Sequence, residues 1–216
     1  MEKNNPTPEQ VEVSEDILAK ARANKKSIMW GFIVAFVMII GVLAWLLISQ
    51  SGSRKADELI ARAAAAQTAS VAAALYADAA KAGYKSGNRA KAEMGIILYQ
   101  KGEYADALKY LDDCSLDDNV AAAGVYSLQG DCHVNLEQYD QALKSYSKAV
   151  SAADKNPEIV PFILIKEANI YRAQQKYADE AKCYKTILDE YPSYAQGVRT
   201  DIKKYYERAL AASQAK

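Results

Sequence analysis

Along most of the chain apolar residues recur at steps of three and four, the period of one helix face, but in one place the polar positions disappear. From Ile28 to Ile48 stand 21 residues without a charge, enough for a helix of about 31 Å and so for crossing a hydrocarbon core. Trp30 and Trp45 lie near the two ends of this run, where indole rings favour the membrane interface. An uncleaved transmembrane helix over 27–50 is therefore expected. The competing reading is a cleaved signal peptide, with Ser49 and Ser51 as a faint small-x-small site. Signal cores are usually about 7 to 15 residues long and are not preceded by a long polar leader, as this run is over residues 1–26.

After the span the three-four pattern takes a particular form. Tyr139, Ala142, Tyr146 and Ala149 place ring, methyl, ring and methyl on one helix face. Thirty-five residues upstream Tyr104, Ala107, Leu111 and Cys114 hold the same positions, and by the same step again stand Ala72, Tyr76 and Ala79. Thirty-eight residues downstream come Tyr177, Glu180, Tyr184 and Ile187, closed by Pro192. The extra residues fall around Asn156, Pro157 and Pro161, where a helix is interrupted and a longer connection costs little. Nine residues before each leading tyrosine stands a small residue, Gly95, Gly130 or Ala168, which lets a preceding helix approach its partner closely.

A period near 34 built from helix pairs has few causes, and these residues resemble the tetratricopeptide repeat (TPR). The resemblance covers about residues 53–194. It implies an all-α helix-pair solenoid with a degenerate first repeat at 51–87, repeats at 88–122, 123–160 and 161–194, and a closing helix within 195–216. The sequence departs from the pattern at Leu98 and His133, which stand in aromatic slots, and at Glu180, which stands in an alanine slot beside Ala181.

Charge narrows the function classes. The chain holds 27 Lys+Arg and 27 Asp+Glu, so it lacks the cationic excess that binding to nucleic acid needs. Lys20, Arg22, Lys25 and Lys26 precede the span, whereas only Arg54 and Lys55 follow closely. That bias keeps the N-terminus in the cytoplasm and puts the repeats across the membrane, which in a Gram-negative cell is the periplasm. The leader turns helical at Ser14, an N-cap followed by Glu15 and Asp16, with Ile17, Leu18 and Ala21 as a small apolar face.

Catalytic chemistry finds no foothold, and no cofactor or metal is expected. The sole histidine, His133, adjoins Cys132, but adjacent helix residues point about 100° apart and do not converge on one atom. One histidine with scattered cysteines does not make a zinc site. Cys114, Cys132 and Cys183 fall on packing positions and read as buried thiols; a Cys114–Cys132 bridge is geometrically conceivable. The acidic pairs Asp112–Asp113 and Asp117–Asp118 read as one solvated turn.

Binding remains. TPR helix pairs curve so that their first helices line a concave wall. The resemblance implies that this wall carries Arg89, Ile96, Tyr99 and Gln100, then Asp131 and Asn135, then Asn169 and Arg172. Tyr99 and Arg172 are the expected affinity residues, off the contacts between helices. The partner expected in the groove is a polypeptide or protein. The wall lacks the Lys–Asn clamp of TPR domains that hold chaperone tails, since Ala92 and Ile96 occupy those positions. One N-terminal span followed by about four repeats, together with the region Gly87 to Leu111, is similar to the YfgM-like family of ancillary subunits of the bacterial Sec translocon. That resemblance implies a periplasm-facing scaffold beside emerging secreted chains and periplasmic chaperones. Two other readings stay open: an anchored receptor for precursor proteins with its repeats in the cytosol, and an assembly scaffold of another membrane complex.

Overall fold

The computed structural model describes residues 25–82, 85–197 and 201–215. The helix expected from Ser14, with Ile17, Leu18 and Ala21, lies outside the described residues. Among the described residues every regular element is a helix: α1 (Lys25–Ala64), α2 (Ala69–Ala80), α3 (Lys85–Gln100), α4 (Tyr104–Asp112), α5 (Asn119–Asn135), α6 (Tyr139–Ala152), α7 (Ile159–Ala173), α8 (Tyr177–Glu190), α9 (Pro192–Gly197) and α10 (Ile202–Gln214). The chain divides into two units, Met1–Ser51 and Gly52–Lys216.

In the first unit the described part is the leading portion of α1. From Met29 to Ile48 every side chain is exposed, rings and branched aliphatics included. A helix apolar on all sides has no polar face to turn to water. It is long and apolar enough to cross a membrane.

In the second unit each helix packs on the next one in the sequence, from α2 through α8, and α10 returns to pack on α8. Alternate helices also meet: α3 touches α5, and α5 touches α7. Two close approaches fall at glycines. A Cβ on Gly95 would stand 2.4 Å from Leu111 Cδ2, and one on Gly130 would stand 2.3 Å from Tyr146 Cε1. Thus α3 lies against α4, and α5 against α6, at distances only glycine permits. At the corresponding place in α7, Ala168 is fully buried. Ala107, Leu111, Ala142, Ala149 and Ile187 are likewise fully buried, and Tyr146 and Tyr184 nearly so.

Three helix-to-helix connections share one backbone turn. Two residues before Tyr104, Tyr139 and Tyr177 the backbone enters the left-handed region, at Gly102 (φ +79°), Glu137 (φ 59°) and Gln175 (φ 58°). In each the next amide reaches back to close the helix: Glu103 N donates to Leu98 O at 2.9 Å, Gln138 N to His133 O at 2.8 Å, and Lys176 N to Tyr171 O at 2.8 Å. These are Schellman closures, for which glycine is the unstrained residue. The connection between α6 and α7 is longer, running from Ala153 to Glu158, and Asn156 Oδ1 accepts from Ile159 N at 3.1 Å to start α7. Pro161 lies inside the first turn of α7 rather than in the connection; its missing N–H is no loss there. Pro192 opens α9 in the same way.

The acidic residues from the end of α4 to the start of α5 have structural partners. Asp118 caps α5 by accepting from Ala121 N at 2.8 Å. Asp113 pairs with Lys91 at 2.7 Å, and Asp112 accepts from Gln129 Nε2 at 3.0 Å. The alanine slot held by Glu180 is also accounted for. Its side chain is 1% exposed and meets Arg208 of α10, whose guanidinium stacks 4.8 Å from the Tyr205 ring. Tyr205 in turn stacks on Tyr184, with centroids 5.8 Å apart.

Candidate functional site

Side chains of the neighbouring helices α3, α5 and α7 line an open cavity in the second unit. The cavity has a volume of about 610 Å³. Its apolar lining includes Ile96, Val120 and Phe162, which are 39%, 53% and 53% exposed. Helical spacing explains the convergence. Arg89, Glu93 and Ile96 stand at i, i+4 and i+7 on α3, and Phe162 and Lys166 lie one turn apart on α7.

At one end of the cavity a polar cluster ties three helices together. The Asp131 carboxylate accepts from the Tyr146 hydroxyl at 2.6 Å and from Lys166 Nζ at 2.7 and 2.9 Å. Lys166 also donates to Ser127 Oγ at 3.1 Å, and its ammonium lies 4.9 Å from the Phe162 ring and 5.7 Å from the Tyr146 ring. Burial, followed by the bond to Asp131, pushes the Tyr146 hydroxyl well above the ordinary tyrosine range. With its charge answered from two sides, the cluster fixes the spacing of α5, α6 and α7.

The expected wall residues divide between this cavity and positions around it. Arg89, Ile96 and Asp131 line the cavity. Asn169 lines a smaller one of about 290 Å³, which shares Lys166 with the first. Tyr99 differs from the expectation. It is half-buried, packs on the core and lies 5.4 Å from the Tyr104 ring, so its ring belongs to the contact between helices. Burial raises its hydroxyl, the Asp131 charge adds to that, and Asn135 offsets part of it. Asn135 is exposed and donates to Asp131 O at 2.8 Å, while Gln100 and Arg172 are exposed near the C-terminal ends of α3 and α7. The cavity thus sits one to two turns nearer the N-terminal ends of these helices than the expected set does. Toward the other end Tyr99 packs on Tyr104, and Tyr146 lines the smaller cavity with Asn169.

Sequence reasoning passed over Glu93, Val120, Phe162 and Lys166. The signal was present in the spacing, since Phe162, Lys166 and Asn169 form one i, i+4, i+7 stripe. Nothing in the local sequence marks Lys166 as partly buried, because its partner Asp131 is 35 residues away.

The three cysteines and His133 take part in packing and in a turn. Cys114, Cys132 and Cys183 are free thiols. Burial pushes Cys132 up to about 11 and Cys183 up to about 12, so both stay protonated and weakly nucleophilic at neutral pH. Cys114 donates to Asn88 O at 3.2 Å. His133 Nδ1 bonds Gln138 Oε1 at 2.8 Å across the turn between α5 and α6. Among the described residues no three His, Cys, Asp or Glu side chains come together as a metal site would require. What the cavity offers a ligand is apolar contact and a few polar groups at its rim.

These features define an all-helical protein with one N-terminal helix apolar enough to span a membrane. No protein-family model matches the chain, and no curated protein matches it.

Proposed function

We propose that the chain is a single-pass, membrane-anchored scaffold of the tetratricopeptide class, which holds polypeptide against the wall formed by α3, α5 and α7. On its resemblance to the YfgM-like subunits, it works at the bacterial inner membrane. Its N-terminus is cytoplasmic and its repeats are periplasmic, beside the Sec translocon and the chaperones that receive emerging chains. The helix-pair repeat is supported by the shared turn at Gly102, Glu137 and Gln175 and by the close contacts at Gly95 and Gly130. The anchor is supported by the exposed apolar surface of α1. The observation that carries the reading is the cavity along α3, α5 and α7, on which exposed apolar side chains converge as they do on interaction surfaces.

The test is site-specific photocrosslinking from full-length chain in its native membrane. A photoreactive residue replacing Val120 is expected to capture polypeptides at the membrane, and the same residue replacing Lys144 on the outer face of α6 is not. Equal capture at both positions, or capture only from Lys144, would remove the wall from the account. Protease added outside spheroplasts is expected to digest the repeats and leave a small membrane fragment; full protection would reverse the orientation.

A further inference from the structure

The proposed function leaves open which chemistry the wall selects, and the cavity carries an answer. Outside α1 the large apolar side chains that stand exposed among the described residues are Val71, Ile96, Val120, Phe162 and Leu210. Three of these five line the one cavity, although they come from three different helices. Exposed apolar side chains scattered singly need no explanation, whereas a converged set marks a contact surface.

The charges in the lining cancel. Arg89 and Lys166 face Glu93 and Asp131, and the last two of the inner set, Lys166 and Asp131, already bind each other. An acidic ligand would meet as much repulsion as attraction, and so would a basic one. Arg89 and Glu93 stand one turn apart on the exposed rim of α3, near enough to the Tyr76 hydroxyl for both charges to act on it. They place one donor group and one acceptor group beside the apolar floor. A polypeptide backbone carries both kinds of group and can use both, whereas a lipid chain carries neither. The volume lies within the range of about 300 to 1,000 Å³ that encloses small ligands. It has room for a few bulky side chains and not for a folded surface.

Resting on the reading of the wall as a polypeptide site, we infer that its occupant is a short apolar segment of unfolded or emerging polypeptide, uncharged where it touches the cavity. Phe162 and Ile96 hold its side chains, and Arg89 and Glu93 meet its backbone. Selection is by apolar contact and not by charge. Such a site accepts many sequences, because leucine, phenylalanine or methionine in the segment fills the cavity about equally well.

The experiment uses full-length chain in lipid nanodiscs and three short fluorescent peptides. These share a serine-, glycine- and glutamine-rich background and differ only in carrying leucines, glutamates or lysines at the same positions. The leucine peptide is expected to bind about tenfold or more tighter than the other two. Its Kd should change less than about twofold between about 0.05 and 0.5 M salt, a range over which charge-driven binding weakens strongly. Phe162→Ser should weaken it about tenfold, and Val120→Ser, a second half-exposed site, should weaken it in the same direction. Val71→Ser should leave binding unchanged, with helicity by circular dichroism equal in all three variants. Tighter, salt-sensitive binding of the glutamate or lysine peptide that Phe162→Ser abolishes would overturn the inference while leaving a polypeptide-binding wall. No peptide binding, or binding that Phe162→Ser does not touch, would overturn both. If in that case Phe162→Ser dissociated a dimer of the chain, or released a lipid detected by native mass spectrometry, the occupant would be a second copy or a lipid.

Discussion

Ala142 and Glu180 occupy corresponding positions in their helices, three residues after a leading tyrosine, and both are fully buried. Around Ala142 the slot is closed by close approach: Gly130 lets α5 lie against the Tyr146 ring, and the slot itself holds a methyl and no charged group. Around Glu180 the slot admits a carboxylate because α10 arrives from the other side with Arg208. The comparison teaches that one backbone arrangement is held together in two ways. At the α5–α6 slot the contact is steric, with the Asp131–Tyr146–Lys166 cluster bonded beside it, whereas the last contact places a charge in the slot itself. A buried ion pair adds little net stability, but breaking it from one side leaves a stranded charge. That makes the pairing of α8 with α10 selective for one partner helix.

The largest effect should therefore come from Arg208→Ala, which leaves the Glu180 carboxylate buried and unanswered. A loss of about 3 kcal/mol is expected, measured by urea denaturation of the full chain in a mild detergent. Glu180→Ala should cost less, because it restores the residue of the other slots and leaves an arginine that is already 43% exposed and can turn to water. The double variant should recover much of the Arg208→Ala loss. Additive losses would mean that the pair is not coupled and that the comparison fails at this end.

The apolar end is broken by volume. Gly130→Ala puts a methyl 2.3 Å from a ring carbon of Tyr146, too close to be absorbed by a flexible side chain. A cost of about 2 kcal/mol is expected from overpacking, and Ala142→Leu should be comparable. The loss should show in neighbouring helices as well, since each leans on the next. A melting temperature equal to the parent's would mean that the contact between α5 and α6 is looser than described.

A pH dependence sharpens the picture at α7. Burial pushes the Glu167 carboxyl up to about 7 from the ordinary 4.5. In the folded chain Glu167 keeps a proton that the unfolded chain has released, so its contribution is fully present below about pH 4.5 and is lost as pH rises through about 7. Glu167→Gln should flatten the fall in stability over that window and should be more stable than the parent at about pH 8. An unchanged slope in thermal melts across the window would contradict this. The smallest effect concerns the shared turn: Gly102→Ala forces a Cβ into the left-handed region and should cost about 1 kcal/mol, read as a shift in the denaturation midpoint.

The helices were legible in the sequence because the 35- and 38-residue steps carry the same side-chain sizes to the same helix face. Gly95, Gly130 and Tyr146 say by their types alone which surfaces meet. The position of the cavity along the wall was less legible. Tyr99 packing on Tyr104 takes its ring out of the expected set, and that is a contact across a turn that a one-face reading does not contain. Lys166 and Arg208 were missed for a common reason. Each looks like an ordinary solvated cation until its partner, 35 or 28 residues away, is brought beside it.

The wall itself is tested most directly by hydrogen exchange of the full chain in nanodiscs, with and without a saturating leucine-bearing peptide. The account predicts added protection in α3, in the first half of α5 and at the start of α7, the helices that carry Ile96, Val120 and Phe162. No change is predicted in α4, α6 and α8. Protection confined to α4, α6 and α8 would put the bound chain on the opposite face and contradict the account.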